Sequence, residues 1–283
     1  MCLIGLALEQ HPRFALVIAA NRDEFLQRPA AALDWWQAEP GAAALLGGRD
    51  LHAGGTWMGL NIAGRVAMLT NVRAPQRQRS DAPSRGAIVP AWLASQSSAS
   101  DYWRDLTARG HNPFNLLAGD LASGRWWWAD DGARAPAPLG PGLYGLSNAA
   151  LDTPWPKVQR LKAALAAALA DAEDPAALEA ALFAALADAT QVPEHELPDT
   201  GIGRERERWL APAFIRTPDA GYGTRCSTLL IAERDGAGLS AQIVERQYAI
   251  DGAPLSQRRT RLRDWPQLHG ELPRIESEPV SAG

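Results

Sequence analysis

A cysteine at position 2 can place a thiol and a free α-amine on one residue. Its side chain is small enough for Met1 to be trimmed, and trimming would tether a nucleophile to a base. An α-amine has a pKa of about 8 and a free thiol about 8.5, so near neutrality the amine accepts the thiol proton without any histidine. A small buried residue in a strand is the other role open to Cys2. The polar run Asn21-Arg22-Asp23-Glu24 begins abruptly where a second apolar stretch ends. In an antiparallel pair with a short turn at residues 10–13, that end lies beside Cys2. An arginine near the sulfur would lower the thiol pKa, and an aspartate near the ammonium would orient it. A solvated turn is the alternative use of such a run. The segment Ala53-Gly54-Gly55-Thr56-Trp57 either cradles an anion on backbone N–H groups or makes a tight turn.

The elements that must position these residues follow from hydrophobic period. Residues 2–8 and 14–20 are apolar on both faces, which predicts two paired strands covered on both sides, in a central layer of a sandwich. A second hairpin is expected from residues 56–62 and 65–70, turning at Ala63-Gly64, and a third from 114–120 and 125–129 around Ser123-Gly124. Helices are expected at 85–96 and 101–109. Residues 157–188 are Ala-rich with Val158, Leu161, Leu165 and Leu169 on one face, and Asp174-Pro175 supplies an N-cap and first-turn proline. That predicts a helix pair broken at 172–174. Strands return at 225–233 and 239–247. Strands, helices, then strands is the order of an α+β layered domain rather than of alternating βαβ units. One domain over residues 1–274 is expected, with a flexible tail at 275–283.

Composition narrows the function classes. With 28 Lys plus Arg against 32 Asp plus Glu and no long basic run, the chain offers nothing to track a phosphate backbone, so nucleic acid is a poor partner. Only Cys2 and Cys226 are present, which leaves neither a disulfide framework nor a CxxC metal site and points to a reducing compartment. No run reaches membrane-spanning length and the opening residues lack a basic n-region, so a cytoplasmic protein without stable membrane insertion is expected. Gly201-Ile202-Gly203 lacks the strand-to-helix context of a nucleotide-binding loop. Eleven tryptophans, clustered at 35–36 and 126–128, supply aromatic walls for the core or for a pocket, and packing is the commoner use.

The opening MCLIGLAL together with AANRDEFLQRPA resembles the NRDE family, the transport-and-Golgi-organisation proteins named for that tetrapeptide. Further ordered blocks carry the resemblance, among them Leu46-Gly47-Gly48-Arg49-Asp50, Ala53 to Gly59, Leu69-Thr70-Asn71-Val72-Arg73, Ser84-Arg85-Gly86, Gly145-Leu146-Ser147-Asn148, Asp152 to Lys157 and Tyr222-Gly223-Thr224-Arg225-Cys226-Ser227. They span positions 2 to 227. More distantly the layout is similar to the Cys-type N-terminal-nucleophile (Ntn) hydrolases, the penicillin V acylases and bile salt hydrolases. That likeness implies a four-layer αββα sandwich with Cys2 as nucleophile. Asn21 and Asp23 resemble those enzymes' Arg-Asn-x-Asp segment, but Ala20 stands where they carry arginine, and Arg22 would replace that cation only if the chain bends differently. Asn71 resembles the oxyanion-hole asparagine and Asn148 the later asparagine that holds the α-amine or substrate. Cys2, Asn21, Arg22, Asp23, Asn71 and Asn148 are thus the expected catalytic set. Glu24, Arg49, Arg73, Arg85 and Arg225 are the expected ligand-binding residues.

Two functions are implied. The first is cleavage or transfer of an acyl group from an amide or thioester, needing no metal or cofactor. The second, from the family's association with haem handling and acyl-CoA or lipid metabolism, is a non-catalytic carrier. For haem the sequence offers Cys2, His52 and His111 as ligands, without a CxxCH motif. For acyl-CoA, Arg22, Arg49, Arg73 and Arg85 can meet phosphates.

Overall fold

The structure, a computed structural model, describes residues 2–219, 221–236, 238–267 and 271–278. In chain order the strands are β1 (Cys2–Leu8), β2 (Phe14–Phe25), β3 (Ala30–Trp36), β4 (Leu45–Asp50), β5 (Met58–Asn61), β6 (Arg65–Asn71), β7 (Phe114–Asp120), β8 (Arg125–Asp130), β9 (Ala137–Leu139), β10 (Gly142–Leu146), β11 (Tyr222–Asp235), β12 (Gly238–Tyr248), β13 (Pro254–Leu262) and β14 (Glu276–Glu278). The helices are α1 (Ile88–Ala94), α2 (Ala99–Thr107), α3 (Pro156–Asp171), α4 (Pro175–Leu186) and α5 (Arg204–Trp209).

Two antiparallel seven-stranded sheets form, one ordered β10-β1-β2-β11-β12-β13-β14 and the other β3-β4-β5-β6-β7-β8-β9. Alternation along β1 explains the layering. Ile4, Leu6 and Leu8 join Met58, Leu60 and Met68 of the other sheet in one core, while Leu3 and Ala7 meet Leu161, Leu165 and Leu182 of α3 and α4. On the far face of the second sheet, Ile88, Trp92 and Trp103 of α1 and α2 cover Leu69, Leu116 and Trp127. The layer order is the α+β, αββα sandwich that the sequence implied. Each fully buried Leu or Ile in these cores contributes about 1.5–3 kcal/mol, and the α3/α4 break falls at 172–174 with Asp174 capping through Ala177 N at 2.8 Å.

Two expectations change and one open alternative is resolved. The strand expected at 14–20 continues through the NRDE residues to Phe25, because β11 pairs with it along its whole length and, across a bulge between Thr224 and Cys226, holds Asn21, Asp23 and Glu24 opposite Ser227, Thr224 and Gly223. Residues 276–278 of the expected tail pair with β13, which supplies a free edge; residues 279–283 lie outside the described residues. The Gly-rich segment is a tight turn rather than an anion cradle. Gly54 N donates to Asp50 O at 2.8 Å, Thr56 N to Gly86 O at 3.1 Å and Ala53 N to Asp50 Oδ1 at 2.9 Å, so these donors are spent. Gly55 packs so closely that a Cβ there would lie 1.9 Å from Gly86 O. Among the described residues no helix is long and apolar enough to cross a membrane.

Candidate active site

Cys2 opens β1 directly opposite Arg22 of β2. It shares parity with Ile4 and therefore points between the sheets, as Arg22 does by parity with Ile18 and Ala20. On the other side the β1/β10 register, Ile4 to Leu146, leads to Ser147 and Asn148 beside Cys2, and Ser147 Oγ donates to Cys2 O at 3.2 Å. Cys2 and Arg22 line a cavity of about 380 Å³ with Glu24, Asp50, Trp57 and Asn71.

The thiol is 7% exposed, and burial pushes its pKa up; Asp23 and Glu24 act in the same direction while Arg22 opposes them. Arg22 is buried, donates from Nη2 to Asp50 Oδ2 at 3.2 Å and stacks on Trp57, its Cζ 4.3 Å from the ring centroid. Its Nη1 has no hydrogen-bond partner among the described residues. Against the opposing effect of burial, the Arg28 hydrogen bond at 2.6 Å and the Ala53 N–H hold Asp50 below the usual carboxylate range. Strand register alone therefore puts Arg22 on the cleft face beside Cys2, without the differently bent chain that the resemblance required. Arg22→Met keeps a stacking side chain but removes the cation. The pH midpoint of Cys2 alkylation by iodoacetamide is then expected to move upward, with labelling at pH 7.5 slowed roughly tenfold; peptide mass mapping across a pH series checks it, and an unmoved midpoint would detach Arg22 from the thiol. Cys226, also opposite Arg22, is pushed well above the usual thiol range by burial and by Glu245.

Asn21 and Asp23 share the opposite parity on β2 and face the helix layer, and Asp23 also belongs to the lining of the first cavity. Asn21 Nδ2 donates to Leu186 O at 2.8 Å and Ala213 O at 2.9 Å, and Ser227 Oγ donates to its Oδ1 at 2.5 Å. It clamps β2 to the helix layer and its side chain does not enter the cleft, a correction to its expected catalytic place. Asp23 accepts from Thr224 Oγ1 at 2.7 Å. Burial pushes its carboxyl up, with Lys157 opposing. Lys157 itself, 3% exposed and hydrogen-bonded to Leu210 O at 2.9 Å, is lowered to about 8, first by burial and next by Arg73, while Asp23 and Cys2 oppose the shift. Lys157 is not among the site residues expected from the sequence. Its signal was a lysine four and eight residues before Leu161 and Leu165, on the apolar face of α3.

Asn71 ends β6 and lines the cavity. Asn148 acts behind it: its Nδ2 donates to Asn71 O at 2.8 Å, and its carbonyl accepts from Arg73 N at 2.7 Å. A second cavity of about 500 Å³ adjoins the first, and Glu24, Phe25, Asn71 and Arg85 line both. Arg73 lines the second. Arg49 and Arg225 line neither and are corrected. Arg49 stacks on Trp36 at 4.7 Å, and Arg225, at a bulge in the β2/β11 pairing, spends Nη1 on the carbonyls of Phe25 and Arg28 at 3.2 and 3.0 Å. Of the three residues considered for haem, Cys2 alone lines a cavity: His52 is exposed, and His111 Nδ1 lies 3.1 Å from Pro83 O. Of the tryptophans, Trp57 lines the first cavity and Trp209 the second; Trp126 and Trp127 pack in the cores.

A family model described as Transport and Golgi organisation 2 matches residues 1–249. The chain is 35% identical to the Transport and Golgi organization protein 2 homolog of Bos taurus and 33% identical to that of Homo sapiens, each over 83% of this chain and 90% of the relative. Among solved structures, a mutant of conjugated bile acid hydrolase from Clostridium perfringens aligns over 99% of this chain and 97% of its own, with a TM-score of 0.43 and 9% identity.

Proposed function

The chain belongs to the Transport and Golgi organisation 2 family, and from its cleft we propose that Cys2, made N-terminal by loss of Met1, is the nucleophile of an acyl-transfer site for amides or thioesters. The observation that carries this reading is the convergence of Cys2, Arg22, Asp23 and Asn71 on one cavity, with the Asp23 carboxylate held by Thr224. The α-amine of Cys2 takes the thiol proton, and Sγ attacks the acyl carbon. The carbonyl electron pair moves onto oxygen, where the Asn71 amide donates to it. Collapse returns that pair, breaks the C–N or C–S bond and passes the proton from the ammonium to the leaving group. Water then attacks the Cys2 thioester with the amine as base, releasing a carboxylic acid and restoring the thiol. Arg22 offsets the burial that disfavours the thiolate, and Asn21 and Asn148 position the two strands.

A reducing, cytoplasmic setting suits two cysteines that both remain thiols. A carrier for haem or acyl-CoA is the second reading, and the apolar wall of the second cavity, with Val72, Ile202, Trp209 and Leu210, favours it. Saturable titration by haemin or a long-chain acyl-CoA, read by the Soret band or tryptophan quenching, would support it; saturation by neither would remove it. For the enzyme reading, the intact mass of the purified chain is expected to lack Met1. Met1 retained in the purified protein would deny Cys2 an α-amine and sink the mechanism.

A further inference from the structure

We propose that the second cavity is a subsite for one oxyanion group, a carboxylate or a phosphate monoester on an apolar stem, received by one edge of the Arg73 guanidinium. The inference rests on the acyl-transfer reading for its orientation, with the scissile carbonyl at Cys2 and the remainder of the substrate passing Asn71, which lines both cavities.

Arg73 is held before any ligand arrives. Its side chain is 5% exposed, its Nη1 donates to Glu207 Oε2 at 2.6 Å and its Cζ lies 5.0 Å from the Trp155 ring centroid. Glu207 is fully engaged, since its other oxygen accepts from Thr200 N at 2.8 Å and Thr200 Oγ1 at 2.6 Å. Glu207 thus balances the charge of Arg73 but leaves two of its donors unanswered. Those are Nε and Nη2, both buried and without a hydrogen-bond partner among the described residues. They are neighbours on one edge of the planar group, the pair that grips a carboxylate or phosphate through two parallel hydrogen bonds. Buried donors left unpaired are costly, and a ligand oxyanion removes that cost.

The walls limit what else fits. Val72, Ile202, Trp209 and Leu210 suit an apolar stem. The charged lining residues are Arg73, Arg85 and Arg206 against Glu24 and Asp219; with Arg73 balanced by Glu207 and the other two arginines matched by the two carboxylates, no surplus cations remain to hold a polyphosphate.

The test is equilibrium titration followed by tryptophan fluorescence, with Trp155 and Trp209 as local reporters, using octanoate, octyl phosphate and the neutral octanamide. One anion or both are expected to saturate at concentrations at least tenfold lower than octanamide, and the tighter of the two identifies the source of the oxyanion. Arg73→Lys keeps a charge for Glu207 but lacks the fork, so it should weaken the anion about tenfold while leaving octanamide unchanged. Equal binding of all three ligands, saturation by neither anion, or an unchanged affinity in folded Arg73→Lys would overturn the proposal, and the wild-type comparison decides even if that variant fails to fold. The titration is repeated in Cys2→Ala, which needs no chemistry. Anion binding without acyl transfer by the wild type would therefore sink the enzyme reading and leave the subsite standing.

Discussion

Cys2→Ala is expected to lower acyl transfer by about 10⁴-fold or more, because it removes the bond-forming atom and with it the whole covalent route. Initial rates on acyl p-nitroanilides and acyl thioesters measure the effect. Nothing nearby can substitute: Cys226 lies on the next strand pair, across Arg22, and burial keeps its thiol protonated. The fold should survive, since the large side chains that knit the sheets together, Leu6, Ile18 and Leu60 among them, are untouched. A variant that keeps binding and loses turnover separates a nucleophile from a packing residue. One that turns over within tenfold of wild type would place the chemistry elsewhere.

Asn71→Ala is expected to cost about 10²- to 10³-fold in kcat, roughly 3 kcal/mol, with little change in KM, because an oxyanion donor acts most strongly where charge develops. The backbone of Asn71 should keep its place, since Asn148 holds it through the carbonyl, which truncation leaves intact. Steady-state kinetics on the same substrates give the split. A rise in KM with kcat unchanged would recast Asn71 as a ground-state contact at the junction of the two cavities.

Much of this arrangement is legible in the sequence. β1 and β2 declare themselves by being apolar on both faces, and the α3/α4 pair by its spacing and by Asp174-Pro175. Strands rich in glycine are harder to read. In β4 the pair Gly47-Gly48 counts against a strand by propensity, yet a Cβ on Gly47 would lie 2.5 Å from Met58 O, so the sheet needs glycine there. β10, with Gly142 and Gly145 in five residues, and the wholly exposed β14 gave no period to detect. At the site, Cys2 and the Asn21–Glu24 run were visible because polar side chains interrupt an apolar strand. Which face each one takes was not, because it depends on β11 extending β2 as a ladder. Arg49 and Arg225 were misplaced for a related reason: a short matched block fixes a residue's position in the chain but not the direction of its side chain. Lys157 is not legible as a site residue because a lysine in a helix is usually solvated, whereas this one is buried with its Nζ on Leu210 O.

In the proposed mechanism the sulfur of Cys2 carries the acyl group. Acid quenching of the wild-type chain seconds after mixing with excess octanoyl thioester, followed by peptide mass mapping, tests it most directly. A peptide beginning at Cys2 with the octanoyl group on that residue is expected, decaying as substrate is consumed. Turnover with Cys2 unmodified at every time point, or acylation confined to another residue, would contradict it.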